Sequence, residues 1–270
     1  MSSEPLHAPV CLQRDAEGIA TLTLNLPDKL NPLSDALQHA LREALASVGD
    51  DPRVRVLVLT GAGRAFSAGA DLAGVETEPA ALRQAADRLE QLTNPLIQAL
   101  HTLPVPVLAV VNGPAVGGGA GLALAADIVI AARSAYFYLP FMPALGIVPD
   151  LGTSWQLPRA IGRARSLGLS LLGTRLSAEQ ACRWGLIWDC VDDALLAEEA
   201  RSLARRLAQL PGHAAPELRA LHAASAANEL PGQLAYEAAR QRELIQGEAF
   251  AEGLRAFREK RPPAFDRGLP

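Results

Sequence analysis

The stretch Val107-Leu-Ala-Val-Val-Asn-Gly-Pro-Ala-Val-Gly-Gly-Gly-Ala-Gly-Leu-Ala-Leu-Ala-Ala126 sets the terms for the rest of the chain. It is the centre of an uncharged run from Leu103 to Ala126. By length alone that run would span a bilayer. Its punctuation excludes this: Pro104, Pro106 and Pro114 interrupt it, with glycines at 113, 117, 118, 119 and 121. Val107–Val111 reads as a short buried strand, Asn112-Gly113-Pro114 as a turn, and Gly121–Ala126 as a helix of small residues.

Working outward, strands and helices alternate. Ile19–Leu26 places Ala20, Leu22, Leu24 and Leu26 on one face and Thr21 and Thr23 on the other, a half-buried strand. Ser34 caps a helix carried by Leu37, Leu41, Leu45 and Val48 and stopped at Gly49. Val54–Leu59 is a strand covered on both faces. Strand, helix, strand in that order implies a parallel crossover. Ala73–Pro79 reads as a loop, Ala80–Leu100 as one long helix, and Ile128–Ala131 and Tyr136–Leu139 as strands. Ser177 with Gln180 starts a capped helix closed at Gly185. From Asp193 on, three helical stretches and no strand are expected. The fold class is therefore α/β, with a core over residues 1–196 and a helical region over 197–270.

Composition narrows the function. Of 270 residues, 49% are hydrophobic and 20% charged, a globular balance, and the net charge is −4. Nucleic acid and anionic membranes are poor partners for such a chain. Cys11, Cys182 and Cys190 form no CxxC pair, so neither a disulfide framework nor structural zinc is expected, which fits a reducing cytoplasm. The first ten residues lack the basic and apolar regions of a signal peptide. Among 25 basic residues only Lys29 and Lys260 are lysines.

Three segments could carry chemistry. The glycines of Gly113–Gly121 either expose backbone N–H groups to a developing negative charge or allow close helix–strand packing. A dinucleotide fold would need GxGxxG and a P-loop would need GK[ST]; neither is present. Ala65-Phe-Ser-Ala-Gly69 imitates a nucleophile elbow around Ser67, but His101, His213 and His222 have no setting that completes a triad. Asp150, in Gly146-Ile-Val-Pro-Asp-Leu-Gly152, is either a helix N-cap or a general base among apolar neighbours.

Four segments in register bear on these alternatives: Asn25-Leu-Pro-Asp-Lys-Leu-Asn-Pro-Leu33, Ala65-Phe-Ser-Ala-Gly-Ala-Asp-Leu72, Val111-Asn-Gly-Pro-Ala-Val-Gly-Gly-Gly119 and Phe257-Arg-Glu-Lys-Arg-Pro-Pro-Ala-Phe265. Together they resemble the crotonase (enoyl-CoA hydratase/isomerase) superfamily over residues 10–265. The resemblance implies a spiral of ββα units with a helical C-terminal trimerisation region. It implies a homotrimer or hexamer and an acyl-CoA substrate, with no separate cofactor and no metal. It puts the thioester oxygen between the N–H groups of Ala70 and Gly118. It puts the adenine end of CoA against Ala68, Asp71 and Leu72, and the CoA phosphates near Lys29 and Lys260, the latter from a neighbouring subunit.

The departures bear on the reaction. The two positions where family hydratases carry glutamates hold Gly121 and Met142. Asp150 instead matches the acid of the family's isomerases. The run Gly146-Ile-Val-Pro-Asp-Leu-Gly-Thr-Ser-Trp-Gln-Leu-Pro-Arg159, with Leu176-Ser-Ala-Glu-Gln-Ala181 and Trp184-Gly-Leu-Ile-Trp188, is most similar to ring-epoxide phenylacetyl-CoA isomerases of phenylacetate catabolism. The expectation is an acyl-CoA isomerase with Asp150 as proton carrier. The alternatives are a hydratase whose acids come from elsewhere, such as Glu76 or Glu78, and a non-catalytic acyl-CoA-binding subunit.

Overall fold

A computed structural model describes residues 8–72 and 75–265. Residues 1–7 of the segment read for a signal peptide, and residues 73–74 of the loop expected at Ala73–Pro79, lie outside the described residues.

The chain lays down β1 (Val10–Arg14), β2 (Ile19–Leu24), α1 (Asp35–Gly49), β3 (Val56–Gly61), α2 (Pro79–Arg88) and α3 (Asn94–Thr102). Then follow β4 (Val107–Val111), β5 (Ala115–Val116), α4 (Gly118–Leu124), β6 (Ile128–Ala132), β7 (Tyr136–Tyr138), α5 (Phe141–Leu145) and α6 (Thr153–Leu172). It ends with β8 (Leu176–Ser177), α7 (Ala178–Arg183), β9 (Asp189–Val191), α8 (Leu196–Ala208), α9 (Ala214–Ser225), α10 (Leu230–Leu244) and α11 (Glu248–Glu259).

A six-stranded sheet runs β1-β2-β3-β4-β6-β9, parallel except for the β1–β2 hairpin. A small sheet runs β5-β7-β8 and is continued by single bridges from Ala115 to Ser67 and from Gly69 to Pro32. Each turn of the chain thus gives one strand to the large sheet, a shorter piece to the small one, then a helix. This is the ββα spiral that the resemblance implied. All of β4 is buried, because helices cover both faces of its sheet. In β2 the leucines are buried and the threonines half-buried, as alternation predicts. Ser34 caps α1 by accepting from the Leu37 N–H, and Ser177 caps α7 from Gln180.

The structure departs from the sequence pattern in several places. The helix expected over Gly121–Ala126 spans Gly118–Leu124. The single helix expected over Ala80–Leu100 is two, joined by a wide turn at Leu89–Thr93. Pro95 explains this: it has no N–H to donate, and its ring would meet the carbonyl of residue 91 in a continuous helix. β1, β5, β8 and β9 are strands that no periodicity announced, three of them only two or three residues long. Among the described residues beyond Asp193, four α-helices form, not three. The first of them, α8, packs on the large sheet and buries Leu196, Ala200 and Ala204 in the common core.

Candidate active site

The site is built where the small sheet passes the C-terminal ends of the large one. Its first wall is the loop after β2. Leu30 and Asn31 both sit in the left-handed region, at φ 63° and 54°, and asparagine is one of the few residues that enters it easily. Asn31 is fully buried. Its Oδ1 accepts from the Leu26 N–H (2.8 Å), and its Nδ2 donates to the carbonyls of Ala62 (2.9 Å), Ala65 (2.9 Å) and Phe66 (3.2 Å). Asn112 adds a second clamp, accepting from the Gly61 N–H and donating to the Gly63 carbonyl.

These clamps lay the Ser67–Asp71 segment along the loop. Ala68 N–H donates to the Leu30 carbonyl and Leu33 N–H to the Gly69 carbonyl, both at 2.8 Å. The Ser67 hydroxyl donates to the Asn31 carbonyl (2.7 Å) and accepts from the Gly69 N–H (3.2 Å). Its proton is held by a carbonyl and no imidazole reaches it, so Ser67 organises the backbone and is not a nucleophile.

On its other side the segment meets the glycine loop. Val116 N–H donates to the Ser67 carbonyl (2.9 Å), and Gly117 N–H to the Tyr138 carbonyl (2.8 Å). Gly69, at φ 82°, has no room for a side chain: a Cβ there would collide with the Val116 carbonyl oxygen and lie 3.2 Å from the Gly118 nitrogen. The backbone carrying Ala70 is therefore pressed against the start of α4. Among the described residues, neither Ala70 N–H nor Gly118 N–H has an acceptor. The two readings of the glycine loop fall on different glycines. Gly119 allows close packing, since a Cβ would come within 2.7 Å of the Ser67 Cβ. Gly118 presents a free donor at the first position of its helix.

The third wall is the loop after α5. Here the N-cap reading of Asp150 fails. α6 starts at Thr153 with Gly152 at its cap position, and the Thr153 N–H bonds the Asp150 backbone carbonyl (2.9 Å), not the carboxylate. Asp150 Oδ1 is buried without a hydrogen-bond partner. Burial pushes the carboxyl up to about 6, and its own backbone N–H opposes this weakly. No charged side chain contributes to the shift.

The next residue, Leu151, is 4% exposed, and its side chain lies on α4 against Gly118 and Gly121. A Cβ at Gly121 would stand 2.7 Å from both Leu151 Cβ and Thr153 Oγ1, so no carboxylate has room to project from that position. Met142 is partly exposed on α5, and its neighbour Phe141 is buried beside Gly117. Leu145, Ile147 and Val148 leave an exposed apolar rim just before the acid.

The structure brings Ala68, Ala70 and Gly118 together, and Leu151, the residue after Asp150, packs on Gly118, while Asp71 and Leu72 are exposed. Lys29 closes the short turn Pro27–Lys29, one residue before the carbonyl that holds Ala68. Lys260 is not gathered with them. It caps the far end of α11 at φ 54°, and no hydrogen bond or ion pair among the described residues ties it to the site. Glu76 and Glu78 are exposed on the approach to α2. No cluster of three His, Cys, Asp or Glu among the described residues could hold a metal ion, and no described helix is long and apolar enough to cross a membrane.

Sequence reasoning missed Asn31 and Leu151. Asn31 stood inside a quoted motif, and an asparagine just before a proline, outside any periodic run, is a turn signal that could have found it. Leu151 gave no signal, because its strain and its contacts are both tertiary.

Residues 14–268 match the family model described as enoyl-CoA hydratase/isomerase. A relative from Escherichia coli (strain K12), "1,2-epoxyphenylacetyl-CoA isomerase", is 46% identical over 92% of this chain and 95% of its own length. A relative from Rhodobacter capsulatus, "Probable enoyl-CoA hydratase", is 44% identical over 93% of this chain and 95% of its own. The crystal structure of an enoyl-CoA hydratase from Bacillus anthracis superposes with a TM-score of 0.87 at 33% identity, covering 96% of this chain and 99% of that one.

Proposed function

Since the chain belongs to the enoyl-CoA hydratase/isomerase family, we propose that it is an acyl-CoA isomerase in which Asp150 moves a proton between two carbons of a CoA thioester. The carboxylate takes the proton next to the thioester carbonyl. The electron pair moves onto the carbonyl oxygen, and the resulting enolate is conjugated with the neighbouring double bond. Reprotonation two carbons further along returns the same proton and shifts the double bond. Charge collects on the thioester oxygen, where the N–H groups of Ala70 and Gly118 meet it. Pre-aimed donors of this kind contribute about 3–4 kcal/mol each to the transition state.

One observation carries the choice of isomerase over hydratase. Asp150 Oδ1 is buried without a partner, the residue after it packs on α4, and the position from which a second carboxylate would approach is filled by Leu151 and Thr153. Adding water calls for a group that activates water and a group that manages the α-proton; a double-bond shift needs one base that gives back what it takes. The relatives divide on this point, one named an isomerase and the other a hydratase. The isomerase's name makes a ring epoxide of phenylacetyl-CoA the first substrate to try besides enoyl-CoAs.

In the same reading Lys29, Ala68, Asp71 and Leu72 hold the nucleotide end of CoA. Lys260 reaches it from a neighbouring copy in a cytoplasmic homotrimer or hexamer.

The test is a panel of CoA thioesters, cis-3-hexenoyl-CoA and trans-2-hexenoyl-CoA first, followed for double-bond movement and for water uptake. Double-bond movement is expected to dominate, with kcat/KM falling as pH drops through about 6, where Asp150 gains its proton. Asp150→Asn keeps the shape but cannot accept a proton, and should lose about 100- to 10,000-fold in turnover. Water uptake as the main reaction would restore the hydratase reading, with Glu76 and Glu78 next in line. Binding without turnover would leave an acyl-CoA-binding subunit.

A further inference from the structure

Asp150 has to be aimed, and its own hydrogen bonds do not aim it. One carboxyl oxygen has no partner, and the only hydrogen bond acting on the carboxyl's titration is from its own backbone N–H. The direction of the carboxyl is thus left to the backbone that carries it. That backbone is unusual. Leu151 has φ 48° and Gly152 φ 73°, two successive left-handed residues that reverse the chain between the acid and α6. Glycine is at home there; leucine is not, because its Cβ crowds the following carbonyl. Only four described residues other than glycine have positive φ. The other three, Leu30, Asn31 and Lys260, are at or beside positions tied to CoA binding above.

A strained leucine persists only where its surroundings over-determine it, and here they do. The Leu151 side chain is buried, and the two glycines beneath it are bare. A Cβ on Gly118 would lie 3.1 Å from Leu151 Cδ1, and one on Gly121 would lie 2.7 Å from Leu151 Cβ. The leucine is wedged onto the helix whose first N–H is the proposed oxyanion donor. We propose that Leu151 is a positioning residue: by packing on Gly118 and Gly121 in a left-handed conformation, it fixes the Asp150 carboxyl relative to the Gly118 N–H. This rests on Asp150 being the base. It also gives position 151 a say in the reaction type, because the same side chain occupies the space of a second acid.

The test compares Leu151→Gly, Leu151→Val and Leu151→Met with Asp150→Asn, using the double-bond shift of cis-3-hexenoyl-CoA and circular dichroism to establish folding. Glycine accepts the backbone angle but removes the wedge. It should lower kcat about 10- to 100-fold, the scale of a misplacement of about 1 Å, and leave KM within about threefold. With the apolar cover gone, the acidic limb of its kcat/KM profile should move below pH 6; a merely structural loss would not move it. Leu151→Val, whose branched Cβ tolerates this backbone angle less well than leucine, should show a fall in kcat at least as large with the same unchanged KM. Leu151→Met, which keeps apolar volume, should return kcat to within about threefold of the parent. A dead Asp150→Asn beside a Leu151→Gly that turns over at the parental rate would overturn the role of Leu151 and leave the base in place. Where the glycine variant does not fold, parental kcat in Leu151→Val would overturn it equally. An active Asp150→Asn would remove the base, and this inference with it.

Discussion

Around Asn31 the buried polar groups are tied to one another, whereas around Asp150 they are not. The Asn31 side chain makes four hydrogen bonds, and Ser67 uses its hydroxyl as both donor and acceptor. Within residues 150–156, Asp150 Oδ1, Thr153 Oγ1 and both polar atoms of the Gln156 amide are buried without partners. In the proposed reaction the two walls have different physics. The first wall must hold backbone donors still, and satisfied hydrogen bonds do that at little cost. The second must keep a carboxylate basic, and hydrogen bonds or cations would do the opposite by stabilising its charge. Rigidity on one side and poor solvation on the other are each suited to their task. The contrast can be broken from either side.

The largest effect is expected where the rigid wall touches the substrate. Gly118 is the first residue of α4, a position where proline fits a helix and where its missing N–H costs no intrahelical bond. Gly118→Pro therefore removes a donor without breaking an intrahelical bond, while its ring also presses on Leu151, whose Cδ1 would lie 3.1 Å from the new Cβ. Turnover should fall about 100- to 1,000-fold, the range for losing one oxyanion donor. Steady-state kinetics on the same thioester checks this. Turnover within a few-fold of the parent would separate Gly118 from the charge.

The next effect is on stability. Asn31→Ala removes both ends of an amide that joins residues 26, 62, 65 and 66, and puts alanine where φ is 54°. Orphaned backbone groups and left-handed strain together should cost about 2–3 kcal/mol. Urea unfolding at fixed protein concentration reads it. A loss under about 0.5 kcal/mol, the level of an ordinary surface substitution, would mean that the wall is held by something other than Asn31.

These two residues also show how much could be read without a structure. β2 and β4 were legible because alternation and uninterrupted burial leave direct marks on sequence; β8 and β9 are too short to have a period at all. Asp150 was legible as a candidate, but its cap and base readings differ only in where one carboxylate points. The approach of Ala70 to Gly118 depends on the bridge between Ser67 and Ala115, 48 positions apart in the chain, and no local pattern encodes such a pairing. The need for glycine at 69, 119 and 121 has the same origin: the atoms that crowd them come from other segments.

The smallest effect separates the two walls by pH. Asp150 is held near 6 in the folded chain against about 3.8 when free, a raised carboxylate, so the folded state binds a proton more readily than the unfolded one between those values. Above pH 6 the group is charged in both states, and burying that charge lowers stability. About two pH units at about 1.4 kcal/mol each set an upper figure near 3 kcal/mol, and the group's partial exposure brings the expectation to about 1–3 kcal/mol. As pH falls from 6 towards 3.8 this cost disappears, because the folded state is protonated first. Asp150→Asn carries no charge at any of these pH values. It should be more stable than the parent by about 1–3 kcal/mol at pH 7.5, and the advantage should shrink steadily towards pH 4. Asn31→Ala gives the contrasting curve: an amide does not titrate, so its penalty should be the same at both ends of the range. Parallel urea-stability curves for Asp150→Asn and the parent from pH 7.5 to 4 would mean that the Asp150 carboxyl is not desolvated in the folded chain. The difference between the two walls would then be lost at its source.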